Sequence, residues 1–174
     1  DVIRLINGSN SVLAGSGADT ITATSGTNTI DAGQDTDVIT LNGGNNTVLG
    51  ASGADSITAN SGTNVIDAGT ENDTITAVSG TNTIQAGGGA DVIVLNAGVN
   101  SVLGGSGADS IMANNGTHVI DAGTENDTIT AISGTNTIKA GDGDDTITLM
   151  GGENTLTAGS GNDAITASGG TNTI

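Results

Sequence analysis

An aspartate falls at every eighteenth position along this chain: Asp1, Asp19, Asp37, Asp55, Asp73, Asp91, Asp109, Asp127, Asp145 and Asp163, with none missed in 174 residues. Two positions after each stands isoleucine, from Ile3 to Ile165. Midway between the aspartates runs a second series: Asn10, Asn28, Asn46, Asn64, Asn82, Asn100, His118, Asn136, Asn154 and Asn172. It too is followed, two positions on, by Val, Ile or Leu, up to Asn172. The unit is therefore half that period, and acidic turns alternate with amide turns. A unit so short cannot bury its own apolar residue. It must stack on its neighbours, and a fixed short period is the mark of a solenoid.

One coil shows the pattern. Gly15-Ser16-Gly17-Ala18-Asp19 reads as a tight turn, with glycine supplying positive φ. Thr20-Ile21-Thr22-Ala23 alternates polar and apolar, as a half-buried strand does. Ser25-Gly26-Thr27-Asn28 reads as the opposite turn, and Thr29-Ile30-Asp31-Ala32 as the return strand. Ile21, Ala23, Ile30 and Ala32 then point inward. The expected fold is all-β: a parallel β-solenoid with one coil per aspartate period, nine to ten coils and two facing parallel sheets. At about 4.8 Å per rung its length is on the order of 45 Å.

The chain has no aromatic residue, proline or cysteine, and 30 of its residues are glycine. Low complexity can accompany disorder, but here the hydrophobic 34 % sits at strict intervals, which argues for an ordered, thin aliphatic core. No stretch is apolar enough to span a membrane. No linker interrupts the pattern, so residues 1–174 read as one repeat domain. It starts and stops in mid-repeat, as a fragment of a longer protein would. A longer period overlays the short one: Asp37-Val38-Ile39-Thr40-Leu41 returns in similar form at Asp91 and again at Asp145, three coils apart each time. There Leu41, Leu95 and Leu149 replace the inward alanine, while the partner positions Gly50 and Gly104 shrink to glycine and Ala158 stays small. Volume compensation within a thin core is the expected reason.

Net charge is -17, with only Arg4 and Lys139 positive, which excludes nucleic acid and anionic membrane surfaces as partners. Eighteen of the 19 acids fall on one edge of the expected stack; Glu153 alone lies on the other. Ladder aspartates about 5 Å apart would repel by about 3 kcal/mol per pair at an effective dielectric near 20. Either most protonate or cations lie between them, and at neutral pH cations are the expectation. The edge offers carboxylates and turn carbonyls, with neither thiolate nor imidazole. Such oxygen-only, flexible sites favour Ca²⁺ over Mg²⁺ or zinc, and several ions are expected.

The turns GSGAD-TI at 15–21, GSGAD-SI at 105–111, GDGDD-TI at 141–147 and GSGND-AI at 159–165 resemble the calcium-binding nonapeptide of the RTX (repeats-in-toxin, hemolysin-type) family. The resemblance covers essentially the whole chain. It implies a right-handed parallel β-roll with Ca²⁺ held between successive turns. Carried over, the metal residues are the ten ladder aspartates with Gly15, Gly17, Gly87, Gly89, Gly105, Gly107, Gly141, Gly143, Gly159 and Gly161. The motif occupies one edge only. Its fourth position should be glycine, but Asp35, Glu71 and Glu125 stand there. A non-glycine is strained at positive φ, so those turns are expected to be reshaped, the extra carboxylate joining a neighbouring ion or blocking one. The sites beside Asp91–Asp109 and Asp145–Asp163 fit the motif better.

The opposite turns carry asparagine, which can donate and accept from rung to rung without charge. A metal-free amide ladder is expected there, with His118 as a substitute rung. On the face after the acidic turn, Thr20/Thr22, Thr74/Thr76, Thr128/Thr130 and Thr146/Thr148 form a flat threonine array, broken by Val94 and Met112. It resembles the ice-binding faces of hyperactive antifreeze proteins, although strand propensity alone also favours Thr and Val. The other face, with Leu13, Asp31, Leu49, Asp67, Gln85, Leu103, Asp121 and Lys139, shows no such order. Nothing supplies a base–nucleophile pair or cofactor loop, so the chain is not expected to be an enzyme. Three functions compete. They are a calcium-stiffened module of a secreted or cell-surface protein (adhesin, surface layer or filament), an ice-binding module, and an accessory repeat beside a secreted enzyme. Self-association through a flat face is a further expected partner mode.

Overall fold

The computed structural model describes all residues, 1–174. It contains strands and turns only. Successive strands alternate between two sheets of ten parallel strands each, so every coil gives one strand to each sheet. Register is one coil throughout: Ile21 pairs with Ile39, and Asn28 with Asn46. First-sheet strands are short, as in Thr20–Ala23 and Thr74–Ala77. Second-sheet strands are mostly twice as long, as in Thr27–Gln34 and Thr81–Gly88.

Strict period explains this register. With parallel in-register stacking, each inward Ile meets an aliphatic equivalent above and below, and a slip of one residue would turn every apolar side chain to solvent. Ile21, Ala23, Ile30 and Ala32 are all buried, and they and their equivalents form one continuous cluster of 30 residues. Each fully buried Ile contributes about 1.5–3 kcal/mol. No helix is long and apolar enough to cross a membrane.

One local expectation changes and a second gains a further reason. Thr27 and Asn28 belong to the second-sheet strand rather than to a turn. Asn28 is buried, so the in–out alternation already runs at the strand's start, and Thr27 and Thr29 both face outward, exposed. The second concerns Gly50 and Gly104. A Cβ at Gly50 would strike the Ala68 carbonyl and approach Asp55 Oδ2, and one at Gly104 would meet the Ala122 carbonyl and Asp109 Oδ2. These glycines make room for the next coil's backbone and for the ladder carboxylate, a reason that stands beside volume compensation with leucine.

Candidate metal centre along the acidic edge

The aspartates form one buried column. Asp19, Asp37, Asp55, Asp73, Asp91, Asp109, Asp127 and Asp145 are each at most 2 % exposed. Asp1 is exposed and Asp163 half-buried, because each lies in a terminal coil and lacks a covering coil on one side. The Asp19 backbone N–H donates to Asp37 Oδ1 at 2.7 Å, and the bond repeats up the column to Asp145 and Asp163 at 3.0 Å. Each carboxylate thereby spends Oδ1 on the coil before it. Its second oxygen, Oδ2, has no partner in any of the eight buried aspartates.

That arrangement is costly without a cation. Burial, the largest cause, pushes Asp73 and Asp127 up to about 7, and Asp55 and Asp109 up to about 6. The N–H bond from the preceding rung pulls each the other way, and neighbouring carboxylates raise them further. Asp37 and Asp91 are raised for the same first reason. A row of buried, unpartnered carboxylate oxygens at one-coil spacing is the donor set a hard divalent cation fits. Nowhere do three or more His, Asp or Glu side chains converge. Calcium takes roughly six to eight oxygens, so turn carbonyls would have to complete its shell.

The turns are built for close approach. Gly15, Gly17, Gly87, Gly89, Gly105, Gly107, Gly141, Gly143, Gly159 and Gly161 all have positive φ. Asp35, Glu71 and Glu125 share that conformation, with φ of 75°, 73° and 73°. Their carboxylates turn back onto the preceding coil: Asp35 Oδ2 accepts from the Gly17 N–H at 2.9 Å, Glu71 Oε2 from Gly53 at 2.9 Å, and Glu125 Oε2 from Gly107 at 2.8 Å. Thr70 and Thr124 hydroxyls donate to the same glutamate oxygens. Those bonds, the threonine ones first, hold both glutamates below the usual carboxylate range. The reshaping is thus an inter-coil staple. Where the next coil has glycine instead, as after Gly89 and Gly143, that N–H donates to the carbonyl of Ser106 or Ser160. Sequence reading overlooked Ala51, which replaces the turn's first glycine and sits at φ 77°. Its register with Gly33 was the available signal.

The far edge carries the amide ladder. Asn28 Nδ2 donates to Asn46 Oδ1 at 2.7 Å and to the Ser25 carbonyl, and the pattern repeats from coil to coil. His118 takes one rung and is 1 % exposed. Its Nδ1 faces Asn100 Nδ2 at 3.0 Å and its Nε2 the Asn115 carbonyl at 2.8 Å.

The two outer faces also differ from expectation. On the first sheet, Thr20 and its equivalents are mostly exposed, but Thr22, Thr40, Thr58 and Thr76 are half-buried. The second sheet has an order of its own: Thr27/Thr29, Thr81/Thr83, Thr135/Thr137 and Thr171/Thr173 lie in register, exposed in both columns. The signal was present as Thr-Asn-Thr at 27, 81 and 135, one three-coil block apart. Assigning Asn28 to a turn concealed it.

The family model for the RTX calcium-binding nonapeptide repeat matches residues 6–39, 40–75 and 76–111, and overlapping stretches that continue to 140–174. This chain belongs to that family. As an RTX repeat it is a calcium-binding β-solenoid, in agreement with the donor set above. No curated protein matches it. Among solved structures, it is similar to the crystal structure of a hyperactive, Ca²⁺-dependent, β-helical antifreeze protein from an Antarctic bacterium. Identity is 27 % and the TM-score 0.81, over 95 % of this chain and 57 % of that one. The RTX repeat described here therefore spans little more than half the length of that relative.

Proposed function

We propose that this chain is a calcium-stiffened rod, a structural repeat module of a secreted or cell-surface protein such as an adhesin, surface layer or extracellular filament. In this reading the ladder aspartates from Asp19 to Asp145, with carbonyls of the flanking turns, hold several Ca²⁺ ions between coils. The observation that carries it is the row of eight buried Oδ2 atoms with no partner. Calcium at extracellular levels neutralises the column and locks the coils; the low free calcium of a cytosol leaves the chain loose enough for export. The sole histidine has both ring nitrogens engaged inside the amide ladder, which supports a non-catalytic role. Circular dichroism with calcium and with EGTA tests the reading. A β signal indifferent to chelation defeats it.

A second reading is ice binding. Both outer faces present rows of threonine on a rigid frame, and a structurally similar protein is a Ca²⁺-dependent antifreeze protein. Thermal hysteresis of the calcium-loaded chain tests it directly.

A further inference from the structure

We infer that the outer face of the second sheet, built on the Thr27 and Thr29 columns, is the surface that docks on ice, and that the first sheet's threonine face is not. The inference rests on the ice-binding reading above and adds the face. Every residue of both columns is exposed, from Ser9 and Ser11 to Thr171 and Thr173. One-coil register sets the hydroxyls on a grid of about 4.8 Å along the solenoid and about 6.6 Å across each strand. Threonine is stiff at χ1, so its hydroxyl and methyl are presented in fixed positions.

The frame beneath is rigid for an identifiable reason. Between the two columns, Asn28 and its equivalents point inward and bond rung to rung at 2.7–2.8 Å, interrupted only around His118, which gives Asn136 no bond. The interruptions are mild. Val65, Val99 and Val119 keep the branched shape and lose only a hydroxyl, Asn45 replaces one threonine, and Glu153 is the one charge in these two columns; Asp31, Asp67, Asp121 and Lys139 lie in the next outward column, at the border of the array. The first sheet is poorer in exposure, though not in charge. Its inner column is half-buried, Met112 protrudes from it, and Arg4 places a charge there.

Fixed hydroxyls hold the adjacent waters at fixed sites, while the methyls between them offer those waters no competing partner. Water already held in a flat array can join a crystal with little further ordering, and preorganisation of this kind is what favours binding. A mobile or charged surface lacks that advantage.

The test uses calcium-loaded protein, folded by circular dichroism, with thermal hysteresis and partition into growing ice as readouts. Thr83→Tyr places a bulky ring in the middle of the second-sheet face, and Thr76→Tyr does the same on the first sheet. Expected is loss of most hysteresis in T83Y and retention in T76Y. The reverse pattern, or retention in both, overturns the face assignment while leaving ice binding standing. No hysteresis in the unmodified chain removes ice binding itself. Sedimentation showing that the unmodified chain dimerises and T83Y disperses it would mean that a second copy occupies this face, which also overturns the proposal.

Discussion

His118 leaves the side-chain oxygen of Asn136 without a donor. Each asparagine rung has two N–H bonds to give, one to the next rung and one to a carbonyl three residues back. The imidazole, accepting from Asn100 at Nδ1, has a single N–H, and it goes to the Asn115 carbonyl. Asn136 Oδ1 is buried and unpaired as a result. Burial also holds His118 below the ordinary imidazole range, against the opposing effect of its bond to Asn115, so the ring stays neutral.

His118→Asn should restore the ladder. An unsatisfied buried acceptor costs about 1–3 kcal/mol, so H118N is expected to be more stable by that order. Denaturant melts of both proteins in saturating calcium check it; an H118N no more stable than the parent contradicts the ladder account.

Without calcium, stability should fall as pH rises from about 4 to about 7. Unfolded aspartates titrate near 3.9, while burial raises Asp73 and Asp127 to about 7 and Asp55 and Asp109 to about 6. In that window the folded chain binds more protons than the unfolded one, so each rise in pH favours unfolding. His118, shifted downward, acts with the opposite sign, so H118N is the cleaner background. With calcium the dependence should reverse, because protons then compete with the ion. Thermal melts from pH 4 to 8, with EGTA and with calcium, read both slopes.

Asp91→Asn keeps an oxygen for the Asp73 N–H, which donates to Asp91 at 2.7 Å, but removes the charge. It is expected to weaken calcium binding and yet to leave the chelated protein at least as stable as the parent. Asp91→Ala also loses the acceptor, stranding a buried N–H at a cost of about 1–3 kcal/mol with or without calcium. Calcium titration followed by circular dichroism separates the two variants. Equal calcium affinity in D91N and the parent would show that the column's charge does not hold the ion.

Ala51→Gly should stabilise the protein. Left-handed backbone costs a non-glycine residue about 1–2 kcal/mol, and Ala51 stands at φ 77°. Glu71 shares that strain but has the Gly53 and Thr70 bonds in return. Glu71→Ala is therefore expected to be less stable than Glu71→Gly, since it keeps the strain and loses both bonds. Melting temperatures of the three variants rank them, and an E71A above E71G would show that backbone strain is not what limits this turn.

Period alone was enough to determine the architecture. When the same pattern returns once per coil, each residue's neighbour above and below is its own equivalent. Inward Ile, the acidic column and the amide column then follow without any long-range information. The same logic made the acidic edge readable as a cation site, because stacked identical charges must be offset. What the coils decide between themselves was not readable. Whether Asn28 closes a turn or opens a strand depends on its side chain finding Asn46 in the next coil, and that choice created the exposed Thr27 and Thr29 columns. That Glu71 staples its turn to the coil before it is set by where the Gly53 N–H points. Single carboxylate oxygens, one bonded and one free, separate only when neighbouring coils are laid on each other at bonding distance. Repetition in one dimension dictates the stack; the direction of each hydrogen bond across it is a three-dimensional outcome.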